Sequence, residues 1–193
     1  DIKKYFKNRK VFCAASTHYD EEKIIGKLHL NLKKKFKNLI TILIPRHINR
    51  SNEIIQILTK LNLKIMKRSN KLKPSNDCDI YIVNTYGEVY KFLELSNVTF
   101  VGGSIANRGG QNPLEAVRMG NFIMHGKKTH NFREIYKELK NLKISSEIKN
   151  INEMEQVFLR NHNYKKSKIK LKKINYLGTK IFKRYIEEIK NYL

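Results

Sequence analysis

The sequence predicts an α/β domain: a parallel sheet with helices packed on both faces. Three observations carry this. Short apolar runs rich in β-branched and aromatic residues, at 11–15, 39–44, 80–83, 98–101 and 122–124, alternate with stretches of helical periodicity. The run LITILI at 39–44 is apolar without a break, as a strand covered on both faces should be. Polar and glycine-rich motifs follow the strands, at the ends where open α/β sheets hold their ligands.

Taken in order, residues 1–10 are charged and read as a linker or the tail of something upstream. VFCAA at 11–15 is a short buried strand, and Ser16-Thr17-His18 stands at its exit. Those hydroxyls can line a crevice, or Ser16 or Thr17 can cap the next helix, with Asp20 competing for that place. That helix runs over 21–36, with Ile24, Ile25, Leu28, Leu32 and Phe36 on one side. The 39–44 strand ends in Pro45-Arg46-His47, which presents either an anion-pairing guanidinium or an ordinary exposed loop arginine. Ser51 reads as the cap of a helix at 52–61, and a short strand follows near 64–67. After the 80–83 strand comes NTYGE at 84–88, with Gly87 opening a helix. Glu88 needs no explanation there beyond the helix dipole.

The chain is organised around residues 98–120. A strand ends on Gly102-Gly103-Ser104, a polar loop carries Gly109-Gly110-Gln111, and a helix start follows. Asn112 is placed as N-cap, Pro113 as first helical residue and Glu115 as the capping-box carboxylate, with Gly120 as the stop. Strand, glycine loop and helix N-terminus together suit an anion, because free N–H groups and small residues let a phosphate approach the backbone. They also describe an ordinary turn, and the loop spells neither GxxxxGKS/T nor GxGxxG. Beyond it come a strand at 122–124, a helix at 132–139 capped by Asn131, a weak strand near 144–148, a helix near 153–160 and a long helix at 171–193.

Forty Lys and Arg against seventeen Asp and Glu give 193 residues a formal charge of +23. Such charge suits nucleic acid or an anionic membrane surface. The lysines, however, are spread along the whole chain rather than gathered in one patch, which argues against specific nucleic-acid binding. Cys13 and Cys78 are isolated and lack metal-ligand spacing, so they read as reduced thiols. No apolar run approaches the roughly 20 residues of a membrane span.

The spelling of the motifs narrows the reading. GGS…RGGQNPLEA at 102–116 resembles the nucleotide-binding segment of the 3-deoxy-D-manno-octulosonic acid (Kdo) transferases, glycosyltransferases acting on lipid A precursors, whose usual text is GGS…GGHNPLE. ASTH at 15–18 followed by Glu21-Glu22, PRH at 45–47 and TYGE at 85–88 resemble three further segments of that family, in the family's order. The resemblance covers about 11–139. Tyr86 stands where the family has Met, Gln111 where it has His, and Tyr19-Asp20 follow ASTH in place of the usual residues.

The resemblance implies a GT-B enzyme of two Rossmann-like halves, of which this chain is the C-terminal, donor-binding half, at 11–193. It implies that Pro45, Arg46, Tyr86, Gly87, Glu88, Asn112, Pro113, Leu114 and Glu115 contact CMP. Gly102, Gly103, Ser104, Gly109, Gly110 and Gln111 would form the phosphate loop; Ser16, Thr17, His18 and His47 would line the cleft. The family's reaction moves Kdo from CMP-Kdo to a lipid A precursor with inversion, without metal or other cofactor. Its general base is a Glu of the N-terminal half, so this chain alone is expected to be inactive. The setting expected is the cytoplasmic face of the bacterial inner membrane, as a peripheral protein. Two other readings stand beside this one. One is a GT-B domain using a UDP-sugar; the other is a non-enzymatic basic module binding RNA or anionic membrane.

Overall fold

The computed structural model of the chain describes residues 2–70, 73–164 and 186–187. Seven strands form one sheet: β1 (Lys10–Thr17), β2 (Leu39–Pro45), β3 (Ile65–Lys67), β4 (Ile80–Ile82), β5 (Val98–Val101), β6 (Phe122–His125) and β7 (Ser145–Glu147). Six α-helices connect them: α1 (Glu21–Lys35), α2 (Ser51–Thr59), α3 (Val89–Leu93), α4 (Leu114–Arg118), α5 (Arg133–Asn141) and α6 (Ile151–Asn161). The spatial order is β3-β4-β2-β1-β5-β6-β7, and every neighbouring pair is parallel.

Side chains alternate across the sheet, so it carries two cores. Val11, Cys13 and Ala15 of β1 join one, packed with Phe92 of α3, Val117 of α4 and Leu139 of α5. Phe12 and Ala14 join the other, with Ile25, Leu28 and Leu32 of α1, Ile54 and Leu58 of α2, and Phe158 of α6. β2 is buried at all seven positions, and its one polar side chain, Thr41, meets His29 Nδ1 at 2.9 Å. Cys13 is fully buried in the central strand, and the loss of water pushes its thiol up to about 12. Cys78 is also buried and is pushed up to about 11.

Several local expectations are corrected. Residues 2–10 are no linker: Ile2–Tyr5 is a 3₁₀ turn, Phe6 is buried against Tyr81, and β1 starts at Lys10. Arg9 fixes this segment by donating to the carbonyls of Asn38, Leu39, Ser75, Asn76 and Cys78. A guanidinium with its donors in a planar fork can satisfy several such acceptors at once. Ser51 does not cap α2 but begins it, after a 3₁₀ turn at Ile48–Arg50. Asn131 does not cap α5, because a 3₁₀ turn at His130–Phe132 intervenes and its amide donates to the Arg108 carbonyl. Asn150 is the side-chain cap of α6, accepting from the Glu153 N–H. The long helix expected at 171–193 lies almost wholly outside the described residues.

The chain builds outward from β1 in one direction through β2, β4 and β3, then returns to β1's other edge and builds through β5, β6 and β7. The order therefore reverses between β1 and β5. In a doubly wound sheet the crevice outside the carboxyl ends at that point is the ligand position. The motifs ASTH and GGS exit at that reversal, from β1 and β5.

Candidate functional site

At the reversal, β1 and β5 approach until their backbones touch. Gly102 has no room for a side chain, since a Cβ there would collide with the carbonyl of Ser16. Ser16 itself adopts φ 54, and the β1–β2 register shifts between Ala15 and Thr17. Neither Ser16, Thr17 nor Asp20 caps α1; Asp20 makes no side-chain cap bond. Glu21, the first residue of α1, is instead turned toward the β1 exit and the loop after β5. Its carboxylate, fully buried, accepts from five backbone N–H groups: His18, Gly103, Ser104, Ile105 and Ala106, at 2.8–3.2 Å.

This corrects the phosphate-loop expectation for Gly102, Gly103 and Ser104. The successive N–H groups after β5 do form an anion-binding concavity, but an internal carboxylate fills it. Ser104 is likewise committed: its hydroxyl donates to the Val101 carbonyl at 2.7 Å and accepts from the Gly126 N–H at 2.9 Å. These three residues build the floor of the crevice. Gly109 and Gly110, both at positive φ, hold the following loop against it through Gly110 N–H to Gly103 O at 2.8 Å.

Beside that floor lie exposed polar groups. Arg46, His47, Asn112 and Glu115 are exposed, and neither the Arg46 nor the Glu115 side chain has an ion-pair or hydrogen-bond partner among the described residues. The capping box expected here is corrected: α4 starts at Leu114 with Pro113 at the N-cap, Glu115 makes no capping bond among the described residues, and the Asn112 carboxamide accepts from the Leu114 N–H at 3.0 Å in the turn before the helix. The N–H groups of Glu115 and Ala116 have no acceptor among the described residues. With only five residues, α4 contributes little dipole; its value lies in those open donors. Pro45 and Pro113 are buried, so they shape the backbone rather than offer surface. Leu114 packs partly into the core beneath.

The electrostatics are one-sided. The His18 and His47 rings meet edge to face at 5.8 Å between centroids, and the Gln111 amide lies 3.2 Å from His18 Nε2. With the amide nitrogen turned toward it, His18 Nε2 is placed to accept, as a neutral ring can. Burial, then the positive charges of His47, Arg108, Arg46 and Arg50, hold the His18 imidazolium below its usual range. Arg50 is neutralised by Glu22 at 3.0 Å and by Glu53 at 3.2 Å. Arg46 and Arg108 have no such carboxylate among the described residues.

TYGE forms a third wall. Gly87 takes φ 74 with open space around it, and Tyr86 is 83% exposed. Glu88, expected as a direct contact, is instead held by Arg68 through a fork of 2.9 and 3.0 Å and by the Thr85 hydroxyl at 2.7 Å. The Arg68 hydrogen bonds keep its carboxyl down at about 2. Among the described residues, no group of three or more His, Cys, Asp and Glu could hold a metal ion. No helix among them is long and apolar enough to cross a membrane.

The sequence reading missed Glu21 as the loop's anchor, Arg68 as the partner of Glu88, and Arg108. Only Glu21 carried a signal, through the Glu21-Glu22 pair after ASTH. The partners of the others lie 20 or more residues away, or are absent.

Fold and site together define a doubly wound α/β domain with an open crevice at its switch point, beside which two guanidiniums have no partner among the described residues. Comparison with known proteins gives the family. The chain is 36% identical over 132 residues to the 3-deoxy-D-manno-octulosonic acid transferase of Haemophilus influenzae, spanning 68% of this chain and 31% of that protein. It is 31% identical over 195 residues to the transferase of the same name from Rickettsia prowazekii, spanning 96% of this chain and 42% of that one. Among solved structures it resembles the C-terminal CMP-Kdo binding domain of WaaA from Acinetobacter baumannii, with a TM-score of 0.76, 29% identity and 81% of each chain covered. No protein-family model matches. The chain belongs to the Kdo transferase family. It spans about a third of the length of the relatives it matches.

Proposed function

We propose that this chain is the donor-binding half of a Kdo transferase, and that it holds CMP-Kdo at the β1/β5 crevice. The observation that carries this is the pair of unpaired guanidiniums, Arg46 and Arg108, close enough to act on His18 at that point, with open N–H donors at Glu115 and Ala116 following the Gln111 that touches His18. Arg46 and these donors take the phosphate, Glu115 accepts from the ribose hydroxyls, and the open TYGE wall at Tyr86 and Gly87 leaves room for the base. Glu88 acts through Arg68 to hold that wall. In the full enzyme a lipid A precursor attacks the anomeric carbon by direct displacement, without metal. The general base and the acceptor contacts belong to a part of the enzyme outside this segment, as does most of its attachment to the cytoplasmic face of the inner membrane. The spread of lysines adds attraction to an anionic surface.

Calorimetry on the whole chain tests the donor. CMP binds saturably, UDP binds at least about tenfold more weakly, and added chelator changes neither. A preference for UDP would favour a UDP-sugar enzyme instead.

The histidines add a pH dependence. A bound anion offsets the charges that depress His18, so its pKa rises in the complex and binding takes up a proton. Affinity therefore falls as pH rises from below the ordinary imidazole range up through it. The methyl ester of CMP, whose phosphate keeps one charge throughout, is the probe. Identical affinity across that range, with no proton uptake in buffers of different ionisation enthalpy, would contradict this role.

A further inference from the structure

Arg108 opens the RGGQNPLEA text, yet none of the nucleotide contacts assigned above uses it. Its surroundings place it deliberately. The loop after β5 is tied down on both sides of it: Arg108 N–H to Ala106 O at 2.7 Å, Asn131 amide to Arg108 O at 3.2 Å, and Asn131 N–H to Gly109 O at 3.1 Å. Lys128 N–H to Ser104 O at 2.8 Å and Lys128 Nζ to Asn107 at 3.2 Å hold the same loop from the β6 side. Gly109 cannot take a side chain, because a Cβ would run into the Asn131 amide. Three residues beyond Arg108, the Gln111 side chain touches His18. The backbone around Arg108 is therefore fixed beside the crevice, while its guanidinium is exposed and pairs with no carboxylate among the described residues.

Two unpaired guanidiniums with two imidazoles exceed what one phosphodiester needs. Glu21 is spent on backbone N–H groups, and Glu22 and Glu53 on Arg50, so Glu115 is the one carboxylate placed in the site without a partner among the described residues. Like charges left together without a counter-ion repel, and an anionic ligand group relieves that repulsion. A planar guanidinium also matches a carboxylate with two parallel hydrogen bonds.

We propose that Arg46 and Arg108 form a two-cation site for a donor bearing two anionic groups, with Arg46 on the phosphodiester and Arg108 on the carboxylate of an acidic sugar. Arg108 is then the residue that selects an acidic sugar nucleotide over a neutral one. The assignment rests on the donor reading above and adds a residue role to it.

The test compares three probes on the whole chain: CMP, CMP-Kdo, and CMP-Kdo methylated at the sugar carboxylate. Wild type prefers CMP-Kdo to its methyl ester by about tenfold or more, the scale of one charge-assisted fork. Arg108→Ala and Arg108→Gln lose that preference, bind CMP within about twofold of wild type, and melt where wild type melts. Arg46→Ala weakens all three probes together. If Arg108→Ala keeps the preference for the free carboxylate, or loses CMP as fully as CMP-Kdo, the assignment is wrong while the donor reading survives. If wild type binds no CMP, both fall.

Discussion

Replacing Glu21 with Ala is expected to cost about 3–5 kcal/mol of stability, a large share of the 5–15 typical of a domain. One carboxylate accepts from five backbone N–H groups contributed by the exit of β1 and the loop after β5. Removing it leaves those donors in a region where the glycine contacts between Gly102 and Ser16 admit little rearrangement. Buried donors without acceptors each carry a desolvation cost, and here several are orphaned together. Glu21→Gln keeps one acceptor oxygen but turns an NH₂ toward N–H groups, so it is expected to be nearly as damaging. Urea unfolding followed by circular dichroism measures both. A Glu21→Ala chain with an unchanged midpoint would show that the loop holds itself.

Arg46→Ala is expected to weaken CMP by about 10- to 100-fold, the range for a charge-assisted contact to phosphate, and to leave folding untouched. The side chain is exposed, and its residue is tied to the fold through the backbone, Arg46 N–H donating to Thr17 O at 3.0 Å. Titration of CMP with parallel thermal melts separates the two effects. A folded Arg46→Ala chain with wild-type affinity would remove Arg46 from the site.

The parallel sheet and its strand assignments were legible because a strand buried on both faces has few ways to be written. Leu39–Pro45 and Val98–Val101 show it: each is apolar and is punctuated by Pro or Gly. The gathering of the motifs was legible too, since those after β1, β2, β4 and β5 had to meet at the carboxyl end once the strands were parallel. What the residues would do there was less so. Gly103 and Ser104 carry the look of a phosphate loop, but which anion fills it depends on Glu21, 82 residues away along the chain from Gly103. Glu88 reads as a free carboxylate until the fold brings Arg68 across to it. The caps assigned to Ser51 and Asn131 failed because short 3₁₀ turns precede both helices, and a local signal cannot separate a cap from a residue one turn inside or outside it. Residues 2–10 look like a linker in composition, and only the clamp of Arg9 on five carbonyls shows that they belong to the domain.

The most direct test of a built donor site is the affinity of the whole chain for CMP at low and at ~0.3 M salt, where surface charge is largely screened, with Glu115→Ala beside wild type. The crevice predicts one saturable site that persists in salt and weakens in the variant, because Glu115 and the open N–H groups beside it contact the nucleotide directly. Binding that disappears in salt, or that ignores Glu115→Ala, would mean that a chain carrying +23 attracts the nucleotide only as it would attract any polyanion.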